Sequence, residues 1–442
     1  MLNPAISLAQ AKLSTNLSAV AGIAIDISPL KNSRDFRNLW AAGLITYMGS
    51  MITYVAVPFQ IKELTHSYVA VALSGLVQIL PLIIFGLYGG VLADAVDRKK
   101  MVWATEAASL ILTSILLINA LLPQPNLVLI YVVSGLFAAV NGLQRPSMDA
   151  ALPRLVEHKD LPAASALMSL RWQLGVIIGP TIGGIIISTY SIPIGYAADV
   201  FTFVISLFFL SRVRSIPASK EAEKPSLAGL LEGIRYAFKR QDLIGTYLID
   251  LAAMFFAMPT ALIPFWADQL GTPWALGLMY AAGTVGSIII TLTSGWTKNY
   301  SRHGRAIMWA AMGWGTAIAL AGIWNSLILV LIFLTLAGAS DMVSALFRST
   351  MWNQTIPDSY RGRLAGIELL SYAIGPLAGQ MRAAAMAAVT TLSISVTYGG
   401  VICVVVVALL AGFMPKFRRY DAKTNEFALA KLRENELREK GE

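Results

Sequence analysis

This 442-residue chain has one cysteine, three histidines and few charges, and each scarcity excludes something. The lone thiol, Cys403, can form no internal disulfide. No cysteine cluster or His-Glu-x-x-His run supplies a metal-ligand set, so no metal or other cofactor is expected. No Gly-Lys dipeptide occurs, which removes the phosphate-binding loop an ATP-driven pump would need. Only 13% of residues are charged, against about 25% in a soluble domain, so an ordinary soluble enzyme is excluded. With 56% of residues hydrophobic, disorder is excluded as well. The charge that remains is unbalanced at +9, which in a soluble protein would suggest nucleic acid.

What the chain does have is long apolar runs. A bilayer-spanning helix needs about 20 mainly apolar residues. Twelve stretches qualify: roughly 39–61, 68–92, 101–122, 127–148, 163–187 and 193–211, then 243–265, 274–297, 306–323, 327–349, 364–388 and 393–414. The connections alternate between short, nearly uncharged turns and longer basic segments such as Arg154–Asp160 and Arg212–Asp242. The positive-inside rule sends the basic set to the cytoplasm, leaving Lys62 alone of 34 basic residues in an outer loop. The excess charge then orients the chain, and no nucleic-acid partner is implied. Both termini are expected in the cytoplasm, and the apolar stretch Leu17–Ile25 is too short to span, so it reads as part of a tail. Tryptophans 40, 103, 266, 274, 296, 309, 324 and 352 fall near span ends, where amphipathic rings favour the interface. His66, His158 and His303 fall in loops and read as solvated.

The chain also repeats itself. Gly135, Val140, Leu143, Arg145 and Met148 recur 203 residues later as Gly338, Val343, Leu346, Arg348 and Met351. Pro58-Phe59 recurs as Pro264-Phe265, and Gly179-Pro180-x-x-Gly183 as Gly375-Pro376-x-x-Gly379. These matches fall in spans 1/7, 4/10 and 5/11, in order. The organisation expected is a tail (1–36), a six-helix half (37–211), a linker (212–242), a second half (243–415) and a tail (416–442). The basic second tail reads as an amphipathic or mobile helix beside an anionic leaflet. The fold class is an all-α membrane protein of twelve transmembrane helices in two six-helix pseudo-repeats. Two parallel repeats of this size suggest a secondary transporter with its site between the halves.

Two motifs carry more. Gly90-Val-Leu-Ala-Asp94-Ala-Val-Asp97-Arg98-Lys99-Lys100 joins spans 2 and 3. It resembles the loop motif of the major facilitator superfamily, with Asp97 where that family prefers glycine. Gly90, Asp94, Asp97, Arg98 and Lys99 are then expected to form a charged latch between the halves, with a plain positive-inside anchor as the alternative. In span 5, Gly175, Gly179 and Gly183 stand four apart on one face, so another helix can approach closely, while Pro180 kinks the rod. This segment resembles the span-5 signature of facilitator-family antiporters, which is associated with export.

Further stretches, including Ala56–Ile61, Asn119–Pro123, Ala151–Val156 and Asp341–Ser344, resemble the branch of that superfamily that holds enterobactin exporters and macrolide efflux proteins. The resemblance implies a secondary exporter of a siderophore-like metabolite or drug in a bacterial inner membrane, functional as a monomer and driven by protons. Multidrug efflux and uptake are the competing functions. Members of that branch often carry an Asp in mid-span 1, where this chain has Gly49-Ser50.

An ionisable group at a helix centre costs about 2.5–3.5 kcal/mol to insert, so each must face protein or a water-filled cavity. Arg171, Asp199, Asp250, Asp341 and Arg382 qualify. Helical rise puts Asp250, Arg171 and Asp341 at similar depth, as a switchable layer drawn from both halves. The resemblance implies that spans 1, 4, 7 and 10 line the cavity, which favours Asp250 and Asp341 for proton coupling over Asp199. The alternative for Asp341 is an ion pair with Arg348, seven residues on. Arg171 beside Trp172 offers charge and stacking to an anionic aromatic ligand.

Overall fold

The computed structural model describes residues 26–217, 235–356 and 358–439, and every regular element among them is helical. The first half comprises α1 (Arg34–Thr65), α2 (Tyr68–Ala95), α3 (Arg98–Leu121), α4 (Leu127–Leu155), α5 (Leu161–Thr189) and α6 (Ile192–Ser211). The second comprises α7 (Gln241–Phe256), α8 (Leu276–Thr293), α9 (His303–Ile323), α10 (Leu327–Thr355), α11 (Asp358–Val389) and α12 (Leu392–Phe413). Eleven spans among the described residues are long and apolar enough to cross a membrane, and the 32-residue α11 completes the twelve. The chain is a multi-pass membrane protein.

Polar residues at the span breaks start the helices. Ser33, Asp97, Asn126 and Thr391 each accept a backbone N–H from the first turn of α1, α3, α4 and α12 respectively. His66 ends α1 in the left-handed region at φ 49°, a conformation histidine tolerates better than most side chains.

The two halves are wired alike. α1 packs on α5 and α6, α2 on α4, and α3 on α4 and α6; likewise α7 packs on α11 and α12, α8 on α10, and α9 on α10 and α12. Between halves, α5 meets α8 and α2 meets α11. Glycines set the close approaches. A side chain at Gly175, Gly179 or Gly183 would run into Tyr47, Met51 and Ile52 of α1, so these three seat that helix. Gly375 and Gly379 seat Leu251 and Met254 of α7 in the same way. Gly184 lies against Gly277 of α8, where the backbones of the two halves touch.

One helix breaks the likeness. α1 runs unbroken through Pro58, but α7 stops at Phe256 and resumes, after a 3-10 turn at Thr260–Leu262, as a short helix from Ile263 to Gln269. Pro259 explains the stop, because a proline disfavours helical backbone in the residue before it.

The contacts between halves gather near the face that carries the short turns. There Lys62 pairs with Asp268, Tyr68 meets Phe265 at 4.4 Å, and Tyr54 meets Tyr280 at 5.6 Å. Lys62 is therefore the last turn of α1, buried between Asp268 and Glu63, and no loop residue. At the opposite, basic face the second tail docks on protein instead of lying free. Phe417 is fully buried against Gly245 and Gly304, and a last helix, α13 (Glu426–Glu439), packs on α10. Arg240 lies over the Phe427 ring at 3.6 Å. His303 is likewise buried, between Phe347 and Tyr420. Trp266 and Trp352 are buried too, the latter donating to Thr246 at 2.8 Å, whereas Trp103, Trp274, Trp296, Trp309 and Trp324 are exposed as interface rings should be.

Candidate functional site

Among the described residues, most charges inside the spans fall into two clusters, one in each half, and Arg382 stands apart. In the second half, seven residues of helix put Asp341 and Arg348 on one face of α10, and α7 brings Asp250 against them. Arg348 pairs directly with Asp250, and its other terminal nitrogen lies 3.9 Å from Asp341. The three differ in access. Side-chain exposure is 5% for Arg348 and 7% for Asp250 but 37% for Asp341. One arginine thus stands between a sealed carboxylate and an open one. One turn of α7 closer to the basic face, Tyr247 stacks on Trp352 at 5.1 Å.

In the first half the layer differs from expectation. The residue that joins Asp250 and Asp341 is Arg348, and the described contacts of Arg171 lie within the first half. Arg171 packs over Gly43 of α1 and acts on Glu106 of α3. Glu106 is buried and accepts from Thr46 of α1 and Gln144 of α4, each at 3.0 Å. Trp172, exposed, reaches Tyr47 of α1, on which Arg171 also acts. Asp199 is fully buried and accepts from Thr53 at 2.5 Å, Thr202 at 3.2 Å and Thr113 at 3.4 Å. Its carboxylate occupies space that any side chain at Gly49 would claim. These hydroxyls come from α1, α3 and α6 itself.

Arg382 is structural. It donates to the carbonyls of Phe256 at 2.6 Å and Phe255 at 3.4 Å, satisfying groups freed where α7 breaks.

The loop motif works within its own half. Asp97 has φ −57° and caps α3, accepting from the Lys100 N–H at 3.1 Å and from Ser215. Its backbone needs no glycine, which accounts for the departure from the family pattern. Burial pushes the Asp97 carboxyl up, but bonds from Ser215 and neighbouring N–H groups outweigh it and hold the group below the ordinary carboxylate value. The Arg98 side chain donates to Pro217 O at 3.3 Å, and Lys99 donates to Ser211 O at 3.2 Å. Among the described residues these contacts tie α3 to the segment after α6. The side chains of Gly90 and Asp94, like that of His158, lie outside the described residues.

Sequence reasoning found Asp199, Asp250 and Asp341 and paired Asp341 with Arg348, but it missed Glu106, which sits a few residues inside span 3. A carboxylate at that depth was the available signal.

The whole chain resembles known transporters. Residues 24–440 match the family described as transmembrane secretion effectors. An enterobactin exporter, EntS, of Shigella boydii and one of Escherichia coli are each 30% identical over 400 residues, covering 90% of this chain and 95% of theirs. A crystal structure of a POT family transporter in complex with 5-aminolevulinic acid superposes with a TM-score of 0.68 at 11% identity, covering 87% of this chain and 97% of that one. That likeness shows the fold.

Proposed function

The chain belongs to the family of transmembrane secretion effectors, and on that premise we propose that it is a proton-driven exporter of a siderophore-like metabolite. The nearly full-length likeness to enterobactin exporters supports export and the substrate class. The coupling rests on one observation, the single arginine set between a sealed and an open carboxylate.

The basic face lies in the cytoplasm of a bacterial inner membrane, with both termini there. The joint at Lys62–Asp268 and Gly184–Gly277 then closes the outer end, and the midplane space opens inward. Asp341 exchanges the proton because water reaches it. While Asp341 is protonated, Arg348 stays on Asp250, the arrangement seen. When Asp341 releases its proton to the cytoplasm, it competes for Arg348, and the exposed cation–carboxylate group receives substrate. Outward opening lets substrate leave and a proton return to Asp341. Trp172 and Tyr47 offer rings to an aromatic substrate, and Arg171 adds positive charge from the first half. The protein works as a monomer.

The test is deletion of the gene followed by comparison of culture supernatants with and without iron. Retention of a siderophore by the deleted strain under iron limitation is the expected result. An unchanged siderophore level with raised drug sensitivity would replace the substrate class by drugs, and accumulation of substrate by intact cells would overturn export.

A further inference from the structure

We propose that Glu106 and Asp199 form a second proton-holding site, sealed inside the first half and joined by a seam of hydroxyls between α1, α3 and α6. The helices that build it are in register. Each supplies two residues seven apart, hence on one face and about 10 Å apart along the axis. From α1 come Thr46 and Thr53, from α3 Glu106 and Thr113, and from α6 Ser206 and Asp199. Because α6 runs opposite to α1 and α3, these fall into two levels. Thr46, Glu106 and Ser206 make one; Thr53, Thr113 and Asp199 make the other.

The hydrogen bonds follow the levels. Glu106 accepts from Thr46, and Asp199 accepts from Thr53 and Thr113. Gly49, between the two threonines of α1, leaves the space into which the Asp199 carboxylate fits. Ser206 is the second observation. Its hydroxyl is fully buried and makes no regular hydrogen bond, yet it lies close enough to act on the Glu106 carboxyl. Both Glu106 oxygens already accept, from Thr46 and Gln144. The Ser206 hydroxyl can donate to the ionised Glu106 carboxylate and accept from the protonated acid.

Hydroxyls suit this task. They donate to an ionised carboxylate and accept from a protonated one, so neither state leaves an orphan. An arginine, which only donates, cannot do both. Asp199 is held by hydroxyls only, and an unpaired charge at that depth is costly. The other charged or titratable groups nearby are few. Arg171 of α5 acts on Glu106 and, with Arg145 of α4, on Tyr47 of α1, while Tyr196 of α6 faces Asp199. The two carboxyls stand one level apart in the same seam, about 10 Å along the helix axes.

The site is independent of the substrate and of the Arg348 group, and its test uses neither. The full-length protein in lipid nanodiscs is titrated while infrared spectra record the C=O stretch of protonated carboxyls. Glu106→Gln and Asp199→Asn are each expected to remove one titrating band and to leave the other. Ser206→Ala, a mild change that preserves both acids, is expected to move the Glu106 band to higher frequency as its hydrogen bond is lost. Asp250→Asn with Asp341→Asn is expected to leave both bands in place. Bands unchanged in both Glu106→Gln and Asp199→Asn, or lost in only one of them, would overturn the pair. An unmoved Glu106 band in Ser206→Ala would overturn it equally.

Discussion

The two halves keep the same helix pairings and the same glycine seats, but they handle buried charge in opposite ways. In the second half an arginine answers the acids of α7 and α10. In the first half the acids stand on α3 and α6 and are answered chiefly by hydroxyls. Arg145, the repeat counterpart of Arg348, is exposed. Asp199 and Gly399 are each the eighth residue of their helix, α6 and α12. The aspartate reaches into a gap at Gly49 on α1, whereas Gly399 makes room for Phe256 O and Arg382 at the break in α7. Duplication preserved the steric frame, where a glycine cannot be replaced without moving a backbone. It left the charges free to move wherever a partner could be found.

The contrast between halves is broken most severely at Arg348. Arg348→Ala leaves Asp250 buried without its cation and should cost about 3–5 kcal/mol, while Arg145→Ala at the exposed repeat position should stay within about 0.5 kcal/mol. Thermal unfolding of the two variants in detergent checks this, and equal losses would erase the distinction. Next is Arg382→Ala, which frees the carbonyls of Phe255 and Phe256. Losing charge-assisted bonds to them should cost about 1.5–3 kcal/mol. Hydrogen exchange should rise locally around the α7 break and stay unchanged in α1, which has no break to hold. Gly277→Val presses a side chain into Pro180 and Thr181 across the joint and should cost about 1–3 kcal/mol. Gly412→Val, with open space around it, should cost far less in the same melting assay.

The smallest effect is expected at Asp97. Asp97→Ala removes the cap of α3 and should cost about 1 kcal/mol at neutral pH. Because the folded carboxyl lies below its unfolded value, its contribution is present above the unfolded pKa and fades as pH falls through the folded one. Melting curves of wild type and variant should therefore converge on acidification. A gap that widened in acid would reverse the assignment.

Much of the frame was legible in the sequence because its causes are local. Apolar run length gave the spans, and the repeated Gly-Pro-x-x-Gly gave the seats of α1 and α7. Asp341 and Arg348 share a helix, so their pairing followed from spacing alone. Asp250 reaches them from another helix, and no spacing rule predicts that. Glu106 was overlooked because it sits near one end of its span, where a charge reads as a boundary. His303 looked like a loop residue because the ring that covers it, Tyr420, belongs to the tail over a hundred residues later. The described partners of the loop motif were hidden for a related reason. Charge in the loop was visible, but its partners, the Ser211 and Pro217 carbonyls and the Ser215 hydroxyl, carry no signature.

The central claim is that the open acid beside Arg348 carries the coupled proton. It is tested most directly by siderophore uptake into everted membrane vesicles under an imposed pH gradient, acid inside, comparing wild type with Asp341→Asn. Gradient-driven accumulation by wild type, and its loss in Asp341→Asn with downhill exchange retained, is the result expected. Equal gradient-driven accumulation in both would contradict the account.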